Sequence, residues 1–276
     1  MFGQEKKSIK TIAVTSGRGG IGKVNVTVNL ALAMNKLGRN VLIMTAELGL
    51  GDIEALLHVS PKYHLQHLLN NSLLLKDILV ESPSGIKILS AGNGSQKLAA
   101  LTEFQQLKLV GMLDACTSDI DVLLIDAASD ISENVAFFCS AAQEIIIVTP
   151  PEDAAIADTA KFITVLYNRH QQKQFNVLIN SAKNPRASLE AFRRLSLATE
   201  HCRSISLDYL GFLPHDEAVR TAIRAKQAFM DLYPQCPASK KISEISEKLL
   251  NNGDRVKGTL QFCIGQLLTN TVGSIR

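Results

Sequence analysis

The stretch "TIAVTSGRGGIGKVNVTVNLALAMNKLG", residues 11–38, joins a strand pattern to a helix pattern across a glycine-rich turn. Its first part is apolar and rich in β-branched residues, and its last part is predicted to be a helix. Four glycines stand between residues 17 and 22, and Lys23 follows them. Glycines let main-chain amides approach phosphate oxygens, and a helix N-terminus adds positive partial charge. The stretch therefore predicts a phosphate-binding loop at a strand-to-helix turn.

Seven short apolar runs read as buried strands, at 11–16, 40–45, 86–91, 122–127, 144–150, 175–180 and 207–214. They are apolar throughout instead of alternating, which is typical of strands covered on both faces. Longer amphipathic stretches predict helices at about 22–38, 62–80, 102–118, 131–143, 154–171, 185–202, 216–230 and 238–250. This alternation predicts an α/β fold, a mostly parallel sheet with helices on both faces. Ligands of such sheets bind at the carboxyl ends of the strands.

Composition places the chain among ordinary globular proteins. It has 276 residues, of which 46% are hydrophobic, and a net charge of +3 that is too small to indicate direct nucleic-acid binding. No apolar run approaches the ~18 residues that a membrane span needs. The five cysteines are dispersed, as in proteins with reduced thiols, so we expect a cytoplasmic protein.

The C-terminal part carries a separate pattern. Residues 1–250 are predicted to form the sheet domain, and 251–276 a tail. Within 258–268 the apolar side chains follow the i, i+3, i+4, i+7, i+8 spacing of an amphipathic helix. These side chains are Leu260, Cys263, Ile264, Leu267 and Leu268. Few cations stand nearby, so a helix docked on its own domain is favoured over weak contact with the inner membrane, and both remain open.

The loop "GRGGIGK" resembles the deviant Walker A motif, K-G-G-x-G-K-[ST], of the MinD/ParA class of P-loop ATPases. Three stretches resemble the FlhG/FleN-type flagellar-number regulators of that class. They are the residues that follow the loop, "VLLIDAASDISENV" and "LDYLGFLPHDEAVRTAI". The resemblance implies a MinD-like P-loop NTPase fold, ATP or ADP with Mg²⁺ as cofactors, and a homodimer. The loop residues that it assigns to the nucleotide are Gly19, Gly20, Ile21, Gly22, Lys23, Val24 and Asn25.

Several positions depart from the family pattern. Arg18 stands where the family has the lysine that crosses to the partner subunit, and Val24 replaces the hydroxyl that ligates Mg²⁺. The family's D-A-D-x-G begins with Thr45 here, and its water-positioning aspartate is Glu47, one methylene longer. A displacement of about an ångström can cost ~100-fold in rate. These changes predict that hydrolysis is weakened.

Asp126 ends the fourth predicted strand and matches the Walker B aspartate, which would hold Mg²⁺ through water; helix capping is the alternative. Asp130 stands where the family has a glycine near the γ-phosphate. Turned inward, its carboxylate would repel phosphate; turned outward, it would cap the next helix.

The base side of the site keeps the family residues. Asn180 matches the asparagine that reads the adenine edge, and Pro214 and Asp216 match the loop that closes over the base. An asparagine at a strand end is also a common turn residue, which is the alternative reading.

The resemblance also implies partners, namely a flagellar transcription activator or the signal-recognition-type GTPase FlhF. The D-Q-A-x-x-L-R segment that activates FlhF in many members has no match in residues 1–9. Three hypotheses follow: a flagellar regulator with weakened or lost hydrolysis, an active monomer–dimer switch ATPase, and an adaptor that binds no nucleotide. Mg²⁺-dependent turnover would separate the second hypothesis from the others.

Overall fold

The secondary structure follows the predicted alternation of strands and helices. The computed structural model describes residues 9–46, 52–70, 73–92, 101–115 and 119–252. The strands are β1 (Lys10–Thr15), β2 (Val41–Thr45), β3 (Val80–Glu81), β4 (Lys87–Leu89), β5 (Val122–Asp126), β6 (Glu144–Thr149), β7 (Gln174–Ala182) and β8 (Ser206–Pro214). The helices are α1 (Lys23–Lys36), α2 (Asp52–Leu56), α3 (Leu65–Leu69), α4 (Leu75–Ile78), α5 (Glu103–Ala115), α6 (Glu133–Ala141), α7 (Asp153–His170), α8 (Pro185–Ala198), α9 (Glu217–Arg224), α10 (Phe229–Leu232) and α11 (Pro237–Asn251).

One eight-stranded sheet runs through the described residues in the order β3-β4-β2-β5-β1-β6-β7-β8. Every neighbouring pair is parallel except β3 and β4. All seven predicted strands are confirmed to within two residues at their ends. Apart from Lys10 at the start of β1, the central strands are buried throughout, because helices cover both faces. The carboxyl ends of β1, β5, β6 and β7 therefore meet along one edge of the sheet.

Two faces of the sheet carry separate apolar layers. Alternate residues of β1, such as Ile12 and Val14, pack with α1, α2, α10 and α11 on one face. On the other face, β2 and β5 pack with α3 to α6, and β6 and β7 pack with α6 to α8. This arrangement fixes α1 directly against the sheet, and hence the loop that precedes it.

The prediction of one helix over 62–80 is wrong. The structure has two short helices, α3 and α4, and then β3, which runs antiparallel to β4. Asn70 ends α3, and Leu74 is extended before α4, where its amide donates to the Asp77 carboxylate. Asparagine and serine in this stretch favour caps and turns over helix interiors, which the apolar spacing concealed. The short α2 was also missed.

The helix predicted over 216–230 is likewise broken in two. Lys226 adopts a left-handed conformation, with φ of 51°. Its amide donates to the carbonyl of Ile223, and the amide of Gln227 donates to the carbonyl of Ala222. These two bonds make a Schellman C-cap, which ends α9 before α10 begins. Glycine is the usual residue at such a position, so its absence here left no signal in the sequence.

The amino ends of the strands hold a buried polar network. The Lys10 ammonium lies 3.0 Å from Glu144 Oε1, and Asn176 Nδ2 donates to Glu144 Oε2 at 3.0 Å. Lys10 Nζ also donates to the carbonyl of Asn252, just after α11, at 2.9 Å. The end of α11 is thus tied to β1, β6 and β7 on the side of the sheet away from the phosphate-loop turn.

Residues 253–276 of the predicted tail, including its amphipathic helix at 258–268, lie outside the described residues. The division at residue 250 therefore stays a prediction. Within the described ranges, no helix combines the length and the apolar character that crossing a bilayer requires.

Replacing Lys226 with glycine tests the break between α9 and α10. Because a side chain is strained at positive φ and glycine is not, we expect Lys226→Gly to raise the free energy of unfolding by about 0.5–1 kcal/mol. The matched control is Lys240→Gly on the exposed side of α11, which should lower it by ~1 kcal/mol. Urea denaturation followed by circular dichroism measures both, and effects of the same sign would contradict the assignment.

Candidate functional site

The glycine-rich loop lies at the carboxyl end of β1 and leads into α1. Gly22 is the residue before the helix and has φ of 90°, a conformation that side chains rarely adopt. Arg18, Gly19 and Gly20 are exposed, whereas Lys23 is buried. The loop therefore exposes glycines at the start of α1, where a helix N-terminus favours an anion; phosphate binding by this loop stays a prediction.

Gly17 packs against α7. A Cβ at this position would lie 2.7 Å from Thr159 Cα and 2.8 Å from the Asp158 carbonyl oxygen. Both atoms belong to helix backbone, which cannot give way cheaply. The absence of a side chain at Gly17 thus sets how closely the loop approaches α7.

Asn180, on β7, contacts the glycine-rich loop from the side opposite Gly17. Its Nδ2 donates to the carbonyl of Ile21 at 2.7 Å, and a Cβ on Gly22 would come within 2.6 Å of the same nitrogen. A carbonyl oxygen only accepts, so the amide nitrogen of Asn180 must face the loop. Its Oδ1 is then the acceptor that the side chain can offer to a ligand. The adenine-reading role of Asn180 stays a prediction.

Lys23 and Asp126 form a buried ion pair beneath the loop. The Lys23 ammonium lies 2.9 Å from Asp126 Oδ1, and the two side chains are 5% and 3% exposed. The Thr27 hydroxyl lies 3.2 Å from the same carboxylate oxygen and 3.1 Å from the Lys23 carbonyl oxygen. The predicted phosphate lysine and the predicted Walker B aspartate therefore meet directly. Any anion that draws Lys23 into the cradle has to compete with Asp126.

Thr27 was missed by the sequence reasoning, although a signal existed. It stands four residues after Lys23 and therefore one helical turn further along the same face of α1. A hydroxyl at that spacing can contact the same group as the lysine, and here both contact Asp126. By contrast, Val24 is partly buried and packs against the apolar layer around α1. It has no oxygen to offer a metal ion.

Thr45, at the end of β2, has a structural partner. Its hydroxyl oxygen accepts a hydrogen bond from the amide of Ala91 at 2.7 Å. Glu47, the predicted water-positioning residue, lies outside the described residues.

Asp130 is exposed, and its Oδ1 accepts from the Ser132 hydroxyl at 2.8 Å. Ser132 itself caps α6, so the outward orientation of Asp130 is the one observed, with Ser132 as the capping residue.

Beside the cavity, Glu54 is buried, and its carboxylate accepts from the Ser90 hydroxyl at 2.6 Å. His64 lies against Gly92. Burial lowers the pKa of His64, the neighbouring His67 lowers it further, and Glu54 opposes both. The pKa of His64 therefore lies below its ordinary value. No group of three His, Cys, Asp or Glu side chains in the described ranges has the geometry of a metal site.

Asp216 joins two helices. Its Oδ1 accepts from the amide of Ala218 at 2.9 Å, at the start of α9. Its Oδ2 accepts from the amide of Ala238 at 3.2 Å, at the start of α11. Both carboxylate oxygens thus serve helix N-termini, where negative charge is stabilising. Asp216 shapes the loop after β8 through these bonds.

A cavity of about 610 Å³ lies between the glycine-rich loop and the loop after β8. This volume is typical of small-molecule sites. It runs from Gly19, Lys23 and Asp126 to Asn180, Pro214 and Asp216. Of the predicted site residues, Gly20, Ile21, Gly22, Val24 and Asn25 also line it. Arg18 and Asp130 are not among the lining residues. Ser181, His215, Arg220 and Ile223 line it without having been assigned to it from the sequence.

The sequence matches, over residues 7–250, the ParA profile described as the NUBPL iron-transfer P-loop NTPase. The chain belongs to the ParA family of P-loop NTPases. It is 35% identical to the antiactivator FleN of Pseudomonas aeruginosa over 87% of this chain and 86% of FleN. It is 25% identical to the flagellum site-determining protein YlxH of Helicobacter pylori over 91% and 85% of the two chains. The predicted resemblance to the FlhG/FleN type of the MinD/ParA class is confirmed.

The ParA-family fold is confirmed by solved structures. The septum site-determining protein MinD of Pyrococcus horikoshii, complexed with Mg-ADP, superposes with a TM-score of 0.69. The two chains are 20% identical, and the match covers 91% of this chain and 99% of that one. The predicted MinD-like sheet with helices on both faces is therefore correct.

Adding a methyl group at Gly17 tests the close approach of the loop to α7. We expect Gly17→Ala to lower the free energy of unfolding by about 1–3 kcal/mol, because backbone has to move. Gly19→Ala is the matched control, since nothing lies within 4 Å of a Cβ there. Equal stabilities of the two variants in urea denaturation would show that the loop does not rest on α7.

Removing the Asp216 carboxylate tests its capping role. We expect Asp216→Ala to lower the free energy of unfolding by about 1–2 kcal/mol, because two helix N-termini lose an acceptor. The neighbouring Glu217→Ala loses only an exposed pair with Arg220 and should change stability by less than ~0.5 kcal/mol. Thermal denaturation compares them, and indistinguishable variants would rule out the double cap.

Proposed function

We propose that this protein is a flagellar regulator of the FlhG/FleN type that binds an adenine nucleotide and hydrolyses it weakly or not at all. The observation that carries the proposal is the pairing of Lys23 with Asp126 beside a valine at position 24. Lysine supplies the charge that a phosphate needs. The oxygen that would complete a metal site is replaced by a methyl group.

The residues present do not fit a tightly held Mg²⁺. Magnesium requires a near-ideal octahedron of oxygens. Val24 contributes none, and Asp126 already accepts hydrogen bonds from Lys23 and Thr27. The Lys23 ammonium lies 2.9 Å from the Asp126 carboxylate and already neutralises the charge that would attract a metal cation.

The cavity does fit a nucleotide. The loop amides and Lys23 offer donors to phosphate oxygens at the β1 end. The orientation of Asn180, fixed by the Ile21 carbonyl, leaves Oδ1 to accept from an exocyclic amine. Adenine carries such an amine where guanine carries an oxygen. The Mg-ADP complex of the P. horikoshii MinD, which shares the fold, supports a nucleotide at this edge.

The biological role follows from the relatives. FleN is named for antiactivation and YlxH for determining the flagellum site. We propose that this chain limits flagellar number or placement by binding a flagellar transcription activator in the bacterial cytosol. Arg18, exposed at the loop, is the residue that would reach a second copy in a homodimer. FlhF remains the alternative partner.

Calorimetric titration of the wild-type protein with ATP and ADP, with Mg²⁺ or with EDTA, tests this proposal. We expect binding whose dissociation constant changes by less than about threefold with Mg²⁺, and negligible turnover. Val24→Thr restores the hydroxyl at nearly constant volume. In that variant Mg²⁺ should strengthen ATP binding by about tenfold, equivalent to ~1.4 kcal/mol.

Val24→Ala is the matched control, because it changes the side chain without adding oxygen, and it should stay insensitive to Mg²⁺. Asp130→Gly alone should change neither binding nor turnover, because Asp130 is exposed and bonded to Ser132. Strong Mg²⁺ dependence and turnover in the wild type would instead establish an active switch ATPase. No heat with any nucleotide would establish an adaptor.

A further inference from the structure

A strand irregularity lies beside the nucleotide cavity. In the ladder between β7 and β8, Ile179 pairs with Phe212, and Ala182 pairs with Pro214. Three steps along β7 thus correspond to two along β8, so one extra residue is inserted at Asn180–Ser181. Such bulges re-aim side chains and are frequent next to functional sites. Regular pairing resumes at once, since the His215 amide donates to the Ala182 carbonyl at 2.9 Å.

Ser181 is held in a strained conformation by this bulge. Its φ is 58°, in the left-handed region that glycine adopts readily and serine does not. The Ser181 hydroxyl lies 2.9 Å from His215 Nδ1, across the two strands. Non-glycine residues in this region cluster at ligand-binding positions.

The position of the pair along the sheet matches the base of a nucleotide. β8 is the third strand from β1 in the sheet order. With strands about 4.8 Å apart, the end of β8 lies roughly 14 Å from the end of β1, and Ser181 on β7 lies between them. Both Ser181 and His215 line the cavity at this end, together with Pro214.

The same end of the cavity has apolar walls. Leu213, Val219, Phe229 and Ile223 line it. Ile223 is 46% exposed, although it borders a concave site. The face of a flat aromatic ring would cover the Ile223 side chain. The edge of that ring would then meet the polar groups of the bulge.

Resting on the nucleotide-binding function proposed above, we propose that Ser181 and His215 form a polar clamp that reads the edge of the purine base. The clamp requires the tautomer in which the Ser181 hydroxyl donates to His215 Nδ1 and the ring proton sits on Nε2, which is then the donor to the base. Asn180 Oδ1 is the neighbouring acceptor. An acceptor beside a donor complements adenine, which presents its amine beside a ring nitrogen, and opposes guanine, which presents the reverse.

Calorimetric titration with ADP, GDP and tripolyphosphate, all with EDTA, tests the clamp. The wild type should bind ADP more tightly than GDP. His215→Ala should weaken ADP binding by about 3–10-fold, the effect of one hydrogen bond, and leave tripolyphosphate binding unchanged. Ser181→Gly should weaken ADP binding similarly. It should also keep or raise the melting temperature, because glycine relieves the strain. The double variant should lose no more than His215→Ala alone.

His201→Ala is the matched control. His201 is also an exposed histidine near a hydroxyl, with Nε2 3.4 Å from the Thr164 oxygen, but it is not among the residues that line the cavity. Wild-type ADP affinity in His215→Ala would overturn the clamp and leave the proposed function standing. Equal losses of ADP and tripolyphosphate would overturn it as well, since they indicate a general structural effect. A wild type that binds neither ADP nor tripolyphosphate would overturn the proposed function and the clamp together.

Discussion

Lys23 and Asp126 bring opposite charges from α1 and β5 into a nearly dry contact at the centre of the sheet edge. Removing either charge from water costs several kcal/mol unless the other compensates, so the pair demands a fixed geometry. That geometry depends on Gly22, whose left-handed conformation starts α1 at the point where Lys23 reaches β5. It also depends on Asn180, which holds the loop from the side of β7.

The substitutions in the site leave this frame intact. Val24 packs against the apolar layer around α1, so an apolar side chain at this position fits the core. Thr45 accepts a hydrogen bond from the Ala91 amide and so remains part of the edge. Asp130 accepts a hydrogen bond from the Ser132 hydroxyl and is not among the residues that line the cavity. The side chains at these positions are thus compatible with a cavity of nucleotide size.

Local signals made most of the fold predictable from the sequence. Apolar runs located every central strand, and the glycines before Lys23 located the turn between β1 and α1. Each of these patterns reflects a physical requirement at its own position. The break at Lys226 was not predictable, since a lysine in a left-handed C-cap has no distinguishing pattern. Nor was the strain at Ser181, which arises from a ladder between β7 and β8 that the sequence does not spell out. The contact of Lys23 with Asp126 joins residues 103 positions apart, so only the fold could reveal it.

Helix α11 is pinned at both ends by different chemistry. Asp216 holds its first turn beside the cavity, and the Lys10 ammonium holds the carbonyl of Asn252 at the opposite edge of the sheet. With 15 residues, the helix is about 22 Å long, so its two anchoring contacts lie on opposite sides of the sheet. A tilt of α11 at its first turn would therefore displace the Asn252 carbonyl from Lys10 at its last turn.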